Sequence, residues 1–341
     1  MRTFKKEPVD TMPFFSGYGM VVMPAINELG YAFPTIHTDA NRLAQAAIQS
    51  AKMFDFDSVI VPFDMCCESE AIGNTISLYE DSTDILYPTI PEKMWKQLDQ
   101  LEIPSDLMKR GRMPMILEAI KIAKKEAPDY AIGAWQLGPF TMAGQLFELD
   151  VLLKGVFKQK KLVAEALDKI TDMIIEVGKA QIAAGADYIT LREMATGSDL
   201  LSPRTWKTVI QPLVKKIIAA WGDVPTVLHI CGATDMIINL MNECGADAIS
   251  VDIKNNLVET RKKVGDDMLI FGNFDVFELP CKEETTVEQA IAAIKVNIDG
   301  GVDAVWPGCD LWPDIKEENM RAIVKTAREY GKKPSPALGR L

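Results

Sequence analysis

The chain has 341 residues, 48% of them hydrophobic and 25% charged, with a formal net charge of −11. That is the make-up of a globular protein long enough to bury a core without staples. The acidic balance excludes a nucleic-acid partner, because phosphate backbones ask for a basic face.

Six cysteines in this length are too sparse for a disulfide scaffold. They are read as ligands or buried thiols of a reducing compartment. The opening stretch MRTFKKEPVDTMPFF lacks an apolar signal core, and no run reaches the roughly 18 apolar residues of a membrane span. A cytosolic protein is expected. The 17 methionines are read as core filler.

In chain order, buried strands are expected at 11–15, 57–63, 130–136, 187–191, 224–229, 247–251, 268–272 and 303–306. Helical patterns lie between them at 40–54, 113–126, 162–184, 203–221, 234–244, 286–299 and 316–330, with a shorter one at 256–264. Three segments repeat one design: AAGADYITL, ECGADAISV and DGGVDAVWP. Each has Gly where a helix C-cap tolerates positive φ, then a short apolar run suited to a strand buried on both faces.

Strand–helix alternation implies a parallel sheet, and eight units imply a closed (β/α)₈ TIM barrel. A doubly wound open sheet is the runner-up, although no G-x-G-x-x-G follows an early strand. No linker divides the chain, so residues 1–341 are read as one domain. The stretch 79–112, rich in Pro and charge, is an excursion over one end of the barrel.

In such barrels chemistry gathers at the C-terminal ends of the strands. Candidates stand there in order. Asp64 follows 57–63, Gly138 with Pro139 follows 130–136, and Arg192 with Glu193 follows 187–191. His229 and Cys231 end the next run, then Asp252, Asn273 and Cys309.

The pair His229-x-Cys231 admits two readings. It is a buried, hydrogen-bonded core pair, or it is two ligands of one ion, since residues i and i+2 of a strand share a face. Gly232 lets the chain turn after it, and Cys309 in a Pro-Gly-Cys turn offers a third soft ligand. One imidazole and two thiolates suit zinc and leave a fourth position open, as a catalytic site requires. The other cysteines, Cys66, Cys67, Cys244 and Cys281, are read as buried or loop thiols. His37 belongs near a helix N-terminus.

The strings LHICGATD, ECGADAISVD, IFGNFD and WPGCDLWP resemble the uroporphyrinogen decarboxylase superfamily. Within it, the likeness is to the cobamide-dependent zinc methyltransferases of the methylcobamide:coenzyme M type. VPFDMCCESEAIGN, QLGPFTMAGQL and GSDLLSP extend the likeness over most of the chain. The resemblance implies a (β/α)₈ barrel and a zinc held by His229, Cys231 and Cys309. It departs at LREMATGSD, where Glu193 is a candidate fourth ligand or substrate contact and is equally able to pair with Arg192.

What the resemblance implies is methyl transfer between methylcobamide, carried by a corrinoid protein, and a small thiol such as coenzyme M. Asp64, Gly138, Arg192, Glu193 and Asn273 are the substrate-contact candidates. A demethylating enzyme that passes a methyl from an ether, amine or thioether to cob(I)amide needs the same ligands. Uroporphyrinogen decarboxylation is a further alternative, weakened because MPFFSGYGMVVMPAINELG holds no arginine or lysine. A non-enzymatic corrinoid carrier is disfavoured by the lack of D-x-H-x-x-G.

Overall fold

The computed structural model describes residues 1–331. The last ten residues of the expected single domain, 332–341, lie outside the described residues. Seven parallel strands form one sheet in sequential order, β1-β2-β3-β4-β5-β6-β7. They are β1 Ser58–Ile60, β2 Ala131–Leu137, β3 Tyr188–Arg192, β4 Thr226–Ile230, β5 Ala248–Val251, β6 Leu269–Phe274 and β7 Ala304–Pro307. All but the first residue of β2 are buried, as strands covered on both faces must be.

Seven of the eight expected strands are thus present, and the one at 11–15 is reduced to a single parallel bridge between Phe14 and Val305. Pro13 has no N–H to extend a ladder, so the segment pairs only through what remains. Val305 N donates to Pro13 O, Phe15 N to Val305 O, and Asp57 N to Phe14 O. Residues 13–15 therefore sit between β7 and β1, bonded to each.

The repeated Gly-x-Asp design has a physical cause. Asp187, Asp247 and Asp303 each open an odd strand, and each carboxylate accepts the backbone N–H at the start of the preceding strand. The donors are Ile132, Thr226 and Ile270, at 2.8, 2.8 and 2.9 Å. Asp57, before β1, accepts from Phe14 N at 2.7 Å in the same way. Each aspartate pins two neighbouring staves together at the N-terminal end, and the 13–15 segment is pinned like a strand.

The connecting helices start and stop where local chemistry dictates. Ala40–Phe54 begins at Asp39, whose side chain accepts from Arg42 N. Val287–Asp299 opens with a Thr286/Gln289 capping box. Lys160–Ala184 stops at Gly185, with φ +122.

The helix expected at 203–221 is interrupted by a π turn, Trp206–Ile210, ahead of Gln211–Trp221. Pro212 has no N–H for the carbonyl four residues back, which favours the wider turn. The helix expected at 234–244 shrinks to Ile238–Asn242, because Thr234 is instead held by the Asn255 side chain. Short helices at Met23–Glu28, Cys67–Ile72, Pro139–Leu146 and Leu149–Lys158 follow no expected pattern.

The excursion carries no strand, only the bridge Ser77↔Thr89 and 3-10 turns at Leu98–Gln100 and Leu107–Lys109. Lys93 fastens it by donating to Gly144 O and Phe147 O, at the end of the helix after β2. No described helix is long and apolar enough to cross a membrane.

Candidate metal centre

Two strands place the three ligands. His229 is the fourth residue of β4, paired in register with Arg192 on β3 and Ser250 on β5. Cys231 follows directly, and Gly232, with φ +82, turns the chain away behind it. Cys309 comes up from the end of β7 behind Gly308. A Cβ at Gly308 would lie 2.7 Å from Ile253 Cγ2, so only glycine lets this turn close.

The convergence is tight. His229 Nε2 lies 3.1 Å from Cys231 Sγ, and Cys231 Sγ lies 3.6 Å from Cys309 Sγ. Bonds of about 2.3 Å to sulfur and about 2.0 Å to nitrogen set tetrahedral edges of about 3.8 and 3.5 Å. The sulfur–sulfur edge already fits. The nitrogen–sulfur edge is a few tenths of an ångström short, and among the described residues no side-chain group is spaced as a finished cage. Taking an ion requires only that the imidazole and thiol move apart slightly.

The donor chemistry also fits. Cys231 and Cys309 share a hydrogen bond, which, with the His229 ring and the Arg192 charge, draws the Cys309 thiol down against the effect of burial. Cys231 is pushed up in return. The pair thus sets a thiol inclined to ionise next to an imidazole.

The ring of His229 is aimed from behind. Its Nδ1 lies 3.0 Å from Tyr18 Oη and 3.1 Å from Ser250 Oγ. The Tyr18 hydroxyl donates its one proton to Pro307 O at 3.1 Å and accepts from Trp306 Nε1. Ser250 Oγ, 2.7 Å from Tyr18 Oη, completes the cluster. With Tyr18 already spent as a donor, the network closes with the proton on Nδ1, which frees the Nε2 lone pair for a metal. Sequence reading missed Tyr18, Ser250 and Trp306.

Arg192 lies beside this centre, fully buried. It pairs with Asp310 rather than Glu193, and its guanidinium packs 5.0 Å from the Tyr18 ring and 4.5 Å from the Trp135 ring. Glu193 has a different task. Its oxygens accept from Phe140 N, Thr141 N and Thr141 Oγ1, at 2.7, 3.1 and 2.8 Å, at the N-terminus of Pro139–Leu146. Burial, against these hydrogen bonds, lifts its carboxyl to about 7.

Gly138 belongs to the same device, since a Cβ there would stand 2.3 Å from Glu193 Oε2. Both oxygens of Glu193 are thus engaged at the start of Pro139–Leu146.

Asp64 and Asn273 are likewise committed. Arg112 donates to both Asp64 oxygens at 2.8 and 3.2 Å, and His37 Nδ1 stands 3.3 Å away. Burial raises this carboxyl, but His37 and Arg112 outweigh it and hold Asp64 well below the ordinary range. Asn273 Nδ2 donates to Asp252 O and Asn255 O, bracing the loop after β5. Asp64 nonetheless borders an apolar cleft of about 440 Å³ with Phe63, Tyr87, Ile90, Asp310 and Trp312, reached beside Cys309. A cavity of about 460 Å³ at the opposite end is lined by the strand-pinning Asp57 and Asp187 and by their partners Lys124 and Arg328.

Similarity to known proteins follows the same outline. Methylcobamide:CoM methyltransferase MtaA of Methanosarcina barkeri is 32% identical over 331 residues, covering 95% of each chain. Methylcobamide:CoM methyltransferase MtbA of Methanosarcina acetivorans is 29% identical, covering 96% of each. A solved methyltransferase from Methanosarcina mazei superposes with a TM-score of 0.89 at 28% identity, covering 96% of this chain and 97% of that one. The uroporphyrinogen decarboxylase (URO-D) family profile matches residues 1–330, and the chain belongs to that family.

Proposed function

We propose that this chain is a zinc-dependent methyltransferase that moves a methyl group from methylcobamide, carried by a corrinoid protein, to a small thiol such as coenzyme M. The observation that carries this reading is the convergence of His229 Nε2, Cys231 Sγ and Cys309 Sγ within 3.6 Å steps at the mouth. The names of the similar methylcobamide:CoM methyltransferases supply the substrates. Decarboxylation has no use for three soft ligands. A demethylating direction would use the same ligands, and the relatives' names favour the thiol as acceptor.

We infer further that the sheet closes as a (β/α)₈ barrel within one domain. The 13–15 segment supports this as the eighth stave, bonded to Val305 and Asp57 and pinned by an aspartate like the others. The six free cysteines favour a reducing cytosol.

Zinc at His229, Cys231 and Cys309 would act as a Lewis acid that keeps the substrate thiol ionised at neutral pH. Tyr18 and Ser250 hold the imidazole with Nε2 forward. Two thiolate ligands leave the centre electron-rich, and the buried Arg192 offsets part of that charge. A thiol held there would be the nucleophile toward the methyl carbon of methylcobamide, an S–C bond forming as the Co–C bond breaks with its electron pair staying on cobalt.

Cys309→Ala tests the reading. The variant is expected to lose zinc, by elemental analysis, together with methylcobalamin-dependent thiol methylation, by more than a hundredfold. Full activity in a zinc-free variant would refute the metal role.

A further inference from the structure

The loops after five consecutive strands each present one large apolar side chain to solvent. Leu200 follows β3, Met236 β4, Ile253 β5, Phe277 β6 and Trp312 β7, with exposures from 40 to 68%. Because the strands are parallel and in sequential order, all five loops rise from the same end of the sheet. The other exposed large apolar side chains among the described residues are scattered over helices, the excursion and the N-terminus.

These loops are knit into one rim. Ser198 N donates to Ala233 O, joining the loops after β3 and β4. Asn255 Nδ2 donates to Gly232 O, joining β4 to β5, and Asn273 Nδ2 donates to Asp252 O, joining β5 to β6. Cys281 N donates to Phe277 O and its thiol to Trp312 O, joining β6 to β7. The rim borders the site directly, since Ile253 lies over Gly308 beside Cys309 and Trp312 lines the apolar cleft.

We propose that this apolar rim is the docking surface for the protein that carries the corrinoid. The inference rests on the methyl-transfer reading above. Displacement at the methyl carbon requires the sulfur to approach along the Co–C axis, so the macrocycle must lie across the mouth with its carrier meeting the surrounding loops. A cobamide is fringed with amide groups and would ask the rim for hydrogen-bond partners. Leu, Met, Ile, Phe and Trp suit the apolar centre of a protein–protein contact instead.

The size of the patch argues for a transient partner rather than a second copy. At about 200 Å² for a whole large side chain and about half exposure, five residues offer on the order of 500 Å². A stable interface needs roughly 800 Å² from each side. A carrier that must leave after each transfer to be remethylated fits the smaller figure.

The test is the double variant Met236→Asp/Phe277→Asp, assayed with coenzyme M and two methyl donors: free methylcobalamin, and methylcobalamin loaded onto a purified corrinoid protein. The expected result is a KM for the carrier-borne donor raised at least tenfold. Rates with free methylcobalamin should stay within twofold of the wild type, which also shows that the site is intact. An unchanged KM for the carrier-borne donor, or equal losses with both donors, would overturn the assignment. A wild-type dimer in sedimentation that the double variant dissolves would give the face to a second copy and overturn it too. Failure of the wild type to methylate the thiol from free methylcobalamin would instead defeat the methyl-transfer reading, and the surface with it.

Discussion

Tyr18 is the residue on which the aim of His229 depends. Its hydroxyl touches His229 Nδ1, Ser250 Oγ, Pro307 O and Trp306 Nε1, tying β4, β5 and β7 to the loop after the 13–15 segment. Removing the oxygen leaves Ser250, at 3.1 Å, as the remaining partner of Nδ1. Groups that orient a metal-binding histidine typically contribute 10–100-fold to metal affinity. With one partner left, Tyr18→Phe is expected to weaken zinc binding by about tenfold, and Tyr18→Phe/Ser250→Ala by more. Competition with a chromogenic chelator measures this. Unchanged affinity in the double variant would show that the imidazole needs no support from behind.

The rule that finds candidates at seven strand ends also reaches Tyr18. SGYGM directly follows the strand expected at 11–15 and puts Tyr18 at the same end as the other candidates. Asp310 stood next to Cys309 in WPGCDLWP. Glu193 shows the opposite failing, because a carboxylate at a strand end was legible while its use was not. Nothing in LREMATGSD says that Pro139–Leu146 begins within reach of that side chain. Contacts made across the sheet leave no trace in local spacing.

At the scale of elements, the strands were legible because each is a short apolar run, three of them behind the repeated helix-ending glycine, and seven of eight appear close to their expected places. What blurred the first was Pro13, which cannot extend a ladder. Its place beside the sheet is instead stated by Asp57, which accepts from Phe14 N. If residues 13–15 close the barrel, Asp57 does for them what Asp247 does for β4. Losing either carboxylate strands a buried backbone N–H, at a cost of about 1–3 kcal/mol.

Asp57→Ala and Asp247→Ala should therefore destabilise the protein by similar amounts, each about 2 kcal/mol by urea denaturation. The two changes should add, as for sites without shared partners. A cost for Asp57→Ala of only a few tenths of a kcal/mol would show the segment to be a loop lying against an open sheet.

At the scale of the whole molecule, the six cysteines divide into two populations set by where the fold puts them. Cys66 and Cys244 are buried and pushed up to about 12 by loss of solvent, and Cys67 is raised further by the same cause. Cys281, partly exposed, is also held up at about 12 by burial. Cys231 and Cys309 form the one hydrogen-bonded pair, and that bond draws the Cys309 thiol down instead of up. Thiolates, not thiols, react with alkylating agents.

In zinc-free protein at pH 7, brief treatment with iodoacetamide should label Cys309 first and Cys231 next, as the first alkylation frees the shared proton. Cys66, Cys67, Cys244 and Cys281 should stay unmodified until the chain is unfolded. Zinc bound at the proposed site would cover the same two sulfurs and should slow their labelling by at least tenfold, read site by site from peptide masses. Labelling of Cys66 as fast as Cys309 would mean that the cleft, not the three-ligand cluster, holds the reactive thiol. Equal labelling with and without zinc would mean that the metal does not sit on these sulfurs.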